Sequence, residues 1–169
     1  MARALVAGRF VVVQSAYGRI TVGPAGARRG DNREMIRATS QAAPYLTRFS
    51  DGEHQGLSDV SAAKGGQNSG FRPHDLLEAA VASCIDITLR MYADRHAIPL
   101  RSVTVTVTLD RSHPDEVVFR IDLDLDGELT PAQRDRLQRA AHACPVTRTL
   151  QKPIRFESGP GAPDPSVAT

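Results

Sequence analysis

The sequence predicts an α+β fold with predominantly antiparallel pairing. Three observations predict it. Apolar residues recur at three- and four-residue spacing over a long central stretch, from about Pro73 to His96. Two stretches with strict two-residue alternation follow, joined by Ser112-His-Pro-Asp115. A second helical segment then opens with a capping sequence at Thr130 and is broken by Pro145.

Residues 1–40 show two short β-like runs, Phe10 to Val13 and Tyr17 to Val22. The Gly/Arg-rich stretch Gly23 to Asn32 reads as a mobile loop. Ala42 to Phe49 and Gln55 to Val60 flank Ser50-Asp-Gly-Glu53, whose Asp-Gly pair signals a hairpin turn. Lys64-Gly-Gly-Gln-Asn-Ser-Gly70 reads as a flexible connection into Pro73, which starts the long helix.

Within that helix Leu76, Leu77, Ala80, Val81, Cys84, Ile87, Thr88 and Met91 form the expected apolar side. Glu78, Asp86, Arg90 and Asp94 form the other, with Asp86–Arg90 and Arg90–Asp94 as i,i+4 pairs. Cys84 lies roughly 200° round the helix from Asp86 and so points into the apolar side. In the hairpin, Val103, Val105, Val107 and Leu109 share one face, opposite Thr104, Thr106 and Thr108. Val117, Phe119, Ile121, Leu123 and Leu125 face inward, while Asp122, Asp124 and Asp126 form a solvated ladder rather than a calcium site. Thr130-Pro131-Ala132-Gln133 is a capping box with Pro at N1, and its helix is expected to run to about Ala143. Leu137, Ala141 and Cys144 share its inner face. Val146 to Gln151 is expected to form a further turn and Ile154 to Glu157 a closing strand. The organisation reads as 1–40, an N-terminal segment; 41–158, the main domain; and 159–169, a Pro/Gly-rich disordered tail.

Composition narrows the function. At 169 residues, 41% hydrophobic and 24% charged, the chain suits one soluble domain with a sizeable core. A formal net charge of +2 and the lack of a continuous basic stripe argue against nucleic acid. No run approaches the roughly 20 apolar residues of a membrane span. Arg9 interrupts the one stretch with signal-peptide character, so a cytoplasmic protein is expected. In a reducing compartment the two cysteines are more naturally reactive or simply buried than a permanent staple. His142-Ala-Cys144 has no standard metal-site spacing and there is no Cys-x-x-Cys, so neither metal nor cofactor is expected.

Both cysteines sit in distinctive wording. Gly65-Gly66, Arg72-Pro-His-Asp-Leu-Leu77, Ala79-Ala-Val-Ala-Ser-Cys84, Thr88-Leu-Arg-Met-Tyr-Ala93, Gly127-Glu-Leu-Thr-Pro-Ala-Gln133 and Cys144-Pro-Val-Thr-Arg-Thr-Leu150 occur in that order. The set, over about residues 44 to 158, resembles the OsmC/Ohr family of thiol-dependent peroxidases. The last segment is one residue from the Cys-Pro-Val-His-Arg-Thr-Leu wording of its OsmC-like branch.

The resemblance implies an intertwined homodimer with two sites at the subunit interface, built on antiparallel sheets, a long central helix and a second helix. It makes Cys84 the peroxidatic cysteine and Cys144 the resolving one. Thiolate attack on an organic hydroperoxide would give an alcohol and a sulfenic acid, which the second thiol closes to a disulfide. An external reductant, such as a dihydrolipoyl-type dithiol, would reset it. The family's activating Arg has no aligned equivalent, since Ala43 or Pro44 falls near its place. Arg48 is the chosen stand-in, with Arg37 the other near candidate and Arg72, Arg90 and Arg148 further off. The family's Glu position is His74, with Asp75 adjacent as a substitute to orient the Arg; the residues alone equally allow both to serve the helix N-terminus. The alternative is a catalytically weak protein of this fold that binds a hydrophobic small molecule or acts as a thiol redox sensor.

Overall fold

The computed structural model describes residues 35–157, together with the backbone of three strands at 4–7, 10–15 and 18–22. The expected loop at Gly23–Asn32 and the expected tail from Gly159 lie outside the described residues. The chain divides into two compact units, Met1–Asp75 and Leu76–Thr169.

The described strands of the first unit pair antiparallel in two meanders. Strands β1 (Ala4–Ala7), β2 (Phe10–Ser15) and β3 (Gly18–Val22) pair in chain order. A second meander pairs β4 (Arg37–Ser40), β5 (Thr47–Ser50) and β6 (Gln55–Ser58). Its β5–β6 turn is the predicted Asp51-Gly52 corner, where Gly52 takes φ +97°, a left-handed conformation that glycine adopts at no steric cost. The Asp51 carboxylate accepts the His54 and Glu53 amides at 2.6 and 2.9 Å, which holds its pKa well below the carboxylate range.

Beyond β6 the chain does not run free. Asp59, only 2% exposed, accepts the amides of Val60, Gln67 and Ser69 at 2.7, 3.1 and 2.9 Å. One buried carboxylate therefore organises the Gly-rich connection that the sequence suggested was flexible.

The second unit holds the core. Helix α1 spans Pro73–Arg95, and within this unit it buries Val81, Ile85, Leu89 and Ala93. They pack with Ile98, Leu125, Leu137, Ala140, Ala141 and Cys144. Burying each of the larger side chains contributes about 1.5–3 kcal/mol. The buried stripe is thus 81-85-89-93, one step round the helix from the stripe expected. Leu77, Ile87 and Met91, expected inside, are 43%, 57% and 58% exposed. The helix is apolar on two adjacent faces, and periodicity cannot say which one its own chain covers. The expected Asp86–Arg90–Asp94 pairs are also absent among the described residues: Arg90 reaches the Arg101 carbonyl at 3.5 Å.

Strands β7 (Leu100–Asp110) and β8 (Val118–Gly127) form the predicted hairpin. Val103 faces Leu125, Val105 faces Leu123 and Val107 faces Ile121, while Thr104 and Thr106 face Asp124 and Asp122. Val117 falls just outside the ladder and is exposed. Gly127 ends β8 with φ +148°, where a Cβ would collide with the Pro99 carbonyl oxygen. Helix α2 (Pro131–Ala141) has the predicted capping box: Thr130 Oγ1 accepts the Gln133 amide at 3.3 Å and Gln133 Oε1 accepts the Thr130 amide at 2.8 Å. The short α3 (Pro145–Leu150) follows.

The closing strand expected at Ile154–Glu157 does not form. Residues 153–157 have no regular structure, and Phe156 is 96% exposed. Alternation over four residues specifies a strand only when a sheet edge supplies hydrogen-bond partners, and none does so among the described residues.

Candidate functional site

The two thiols, 60 positions apart in the chain, meet in the second unit. Cys84 comes from the middle of α1, on the turn between the buried Val81 and Ile85, and is half-buried. It packs against the core cluster to which the fully buried Cys144 belongs.

Pro145 explains why Cys144 arrives there. A proline pushes the preceding residue out of the α region, and Cys144 accordingly takes φ −53°, ψ 124°. That break separates α2 from α3 and leaves Cys144 as the N-cap of α3 with Pro at N1. An N-cap side chain folds back over the first free amides of its helix.

Electrostatics distinguish the two sulfurs. Burial pushes the Cys84 thiol up, and the neighbouring Cys144 sulfur pushes it further; the Val146 amide and the Thr88 hydroxyl only partly oppose this. Burial also acts to raise Cys144. There it is outweighed by the Cys84 thiol, the Thr147 amide and hydroxyl and the Val146 amide, so that its pKa lies below the ordinary thiol value. Cys144 makes no short capping hydrogen bond; these donors act on its sulfur at longer range. Because one proton is shared between neighbouring sulfurs, the first ionisation belongs to the pair, with the charge favoured on Cys144. Among the described residues, no cation contributes to the shift at Cys84.

The remaining candidates belong to the first unit. Arg48 sits on β5 between Thr39 and Leu57, exposed, and its side chain forms no ion pair among the described residues. Asp75 accepts the Arg72 amide at 3.0 Å and binds the Arg72 guanidinium through Nε at 3.0 Å and Nη2 at 2.7 Å. The guanidinium hydrogen bond is the main reason its pKa is lowered. This is the reciprocal half of a capping box, with the acid at N3 reaching back to the N-cap amide. His74 is exposed on the same turn. The i,i+3 spacing of Arg72 and Asp75 is the sequence signal for this pair.

Two residues that sequence reasoning missed touch the thiol pair. Thr88 donates its hydroxyl to the Cys84 carbonyl at 2.7 Å. Thr147, one turn beyond Cys144, has a hydroxyl oxygen buried with no hydrogen-bond partner. A cavity of about 340 Å³ opens beside it, lined by Ile85, Ile121, Gln138, Ala141, His142 and Thr147 among others.

An α+β unit that brings a thiol on a long helix against a second thiol at a helix start defines a dithiol protein. The family described as OsmC-like protein matches residues 66–159, and the chain belongs to that family. Solved structures agree on the fold. A Mycoplasma pneumoniae OsmC-like protein superposes with a TM-score of 0.61 at 18% identity, covering 72% of this chain and 89% of that one. A Psychrobacter arcticus protein named for osmotic stress induction and detoxification response gives 0.59 at 22% identity, covering 72% and 90%. A Legionella pneumophila organic hydroperoxide resistance protein gives 0.52 at 21% identity, covering 73% and 92%. No curated protein sequence matches the chain.

Proposed function

We propose that this protein is a two-cysteine peroxidase that reduces organic hydroperoxides to alcohols in a reducing cytoplasm. The observation that carries the reading is the meeting of Cys84 and Cys144, close enough for each to shift the other's ionisation. Membership of the OsmC-like family supports it, as does the organic hydroperoxide resistance named for the Legionella relative.

Burial divides the roles. Cys144 is wholly enclosed, so an incoming peroxide meets Cys84 first. Cys84 holds its proton tightly, and the adjacent Cys144 sulfur is the nearest acceptor for it. The Cys84 thiolate attacks the peroxide O–O bond; that bond breaks, an alcohol leaves with a proton, and Cys84 becomes a sulfenic acid. Cys144 then attacks the Cys84 sulfur, the S–O bond breaks, and water leaves as the disulfide forms. A dithiol reductant, of the dihydrolipoyl type in relatives, returns both thiols. The apolar surroundings of Cys84 favour a greasy peroxide over hydrogen peroxide. Arg48, with Asp75 or His74 orienting it, is the proposed thiolate stabiliser. The exposed apolar stripe of α1 is the proposed contact with a second copy in a homodimer.

The second reading is a catalytically weak protein that binds a hydrophobic small molecule or senses redox state through its thiols. It is favoured by the lack of a cation among the groups acting on Cys84. One experiment separates the two. The reduced protein is mixed with a stoichiometric organic hydroperoxide and its free thiols are counted by mass spectrometry, alongside Cys84→Ser and Cys144→Ser. The peroxidase reading expects rapid loss of both thiols, with a sulfenic acid trapped only in Cys144→Ser. Two unreacted thiols after prolonged exposure would sink it and promote the second reading.

A further inference from the structure

The Thr147 hydroxyl is an anomaly. Its oxygen exposes essentially no surface and finds no hydrogen-bond partner. A buried hydroxyl left unpaired is costly, and threonine is readily replaced by valine of nearly the same shape where a hydroxyl has no task. The comparable hydroxyls nearby are all engaged: Thr88 donates to the Cys84 carbonyl at 2.7 Å and Thr149 to the Pro145 carbonyl at 3.0 Å. Thr147 Oγ1 alone makes no such bond to the preceding turn. Thr147 lines the adjacent cavity, yet its enclosed oxygen faces protein rather than that space.

Cys144 is the N-cap of α3 and Thr147 its third residue, so the enclosed hydroxyl and the enclosed sulfur belong to the same first turn. The position follows from local geometry, because the third residue of a helix lies under the side chain of the N-cap. A neutral thiol is a poor acceptor, which leaves the hydroxyl without a good partner in the resting protein. A thiolate is a strong one. Ionisation of Cys144 therefore satisfies a donor that is otherwise wasted.

We propose that Thr147 is a positioning residue for the second half of the thiol cycle, donating its hydroxyl hydrogen to the Cys144 thiolate and aiming that sulfur at Cys84. This rests on the two-cysteine reading. In the step it serves, the Cys144 thiolate attacks the sulfur of the Cys84 sulfenic acid. The S–S bond forms, the S–O bond breaks, and the leaving hydroxide takes up a proton as water. The thiolate charge is thereby consumed and the Thr147 hydrogen bond is released.

The test uses Thr147→Val and Thr147→Ser in two backgrounds. In Cys84→Ser, where Cys144 is the one remaining thiol, its ionisation is followed against pH by the ultraviolet absorbance of the thiolate, which needs no reagent to reach the buried sulfur. Cys84 is the titratable neighbour of that sulfur, while His142 and Arg148 are exposed, so the profile reports a single group. Thr147→Val is expected to move the profile up by about 1 to 2 pH units, the effect of losing one hydrogen bond to a charged group. Thr147→Ser is expected to restore most of that shift. With both cysteines present, Thr147→Val should slow disulfide closure about 10-fold or more.

A purely structural Thr147 makes the opposite forecast. Valine then removes an unsatisfied hydroxyl, raises or preserves the thermal midpoint and leaves the thiolate titration where it was. That result, or a serine variant as impaired as the valine one, overturns the proposal. If wild type loses no thiols to hydroperoxide, the peroxidase reading fails by itself, and the thiolate titration still decides the part played by Thr147.

Discussion

Glu78 on α1 accepts the backbone amide of Leu109 at 2.7 Å, tying the thiol-bearing helix to the end of β7. The bond spans 31 residues and is partly buried. It fixes where α1 lies along the hairpin two turns before Cys84.

Removing that acceptor leaves the Leu109 amide unpaired. Glu78→Ala is expected to cost about 1–3 kcal/mol in urea denaturation, whereas Glu78→Gln, which keeps a side-chain carbonyl, should lose less than half as much. Equal losses in the two variants would show that the negative charge, not the acceptor, is what matters there.

Asp59 contributes to the acid sensitivity of the first unit. The Ser69 amide is the main group holding its pKa below the ordinary 3.8; burial opposes this, and the Val60 and Gln67 amides add to it. A folded-state pKa below the unfolded value contributes stability above the unfolded pKa, and that stability is lost as pH falls through the folded pKa. Asp59→Asn is therefore expected to lower the thermal midpoint at neutral pH by several degrees. The gap from wild type should narrow as pH falls below about 4. A gap of constant size from neutral to acid pH would assign the loss to shape rather than charge.

The open stripe on α1 makes a prediction about association. Ile87 and Met91 are 57% and 58% exposed within one chain. If this stripe meets a second copy, Ile87→Glu or Met91→Glu should shift the protein from dimer to monomer in sedimentation equilibrium, by at least 10-fold in dissociation constant, because an unpaired carboxylate would be buried. A wild-type monomer, or variants that associate as wild type does, would rule out that face.

Much of this molecule is legible along the chain. The α1 and α2 starts follow from Pro73 and the Thr130 capping box, and the β7–β8 register from strict alternation of valines against threonines. The Asp51-Gly52 turn follows from the need for a positive φ. These features depend on neighbours within a few residues, and local sterics and hydrogen bonding decide them. The Cys144-Pro145 pair belongs here too, since proline acts on the residue before it.

Elsewhere the sequence offered more than one solution. The choice between the 81-85-89-93 stripe of α1 and its 77-87-91 neighbour was made by β8 and α2, which cover one face of a helix apolar on both. Ile154 and Phe156 alternate like a strand, yet no sheet edge received them. Asp59 lies within the predicted Gln55 to Val60 run, and only the fold brings the Val60, Gln67 and Ser69 amides onto its carboxylate. Thr147 read as a substitution in a familiar segment, and its unpaired oxygen exists only because the turn after Pro145 encloses it. Sequence by itself determined which elements form and that two thiols are available. Tertiary structure alone decided that the thiols meet and which sulfur gathers the hydrogen-bond donors, because both depend on burial and on groups brought together from distant parts of the chain.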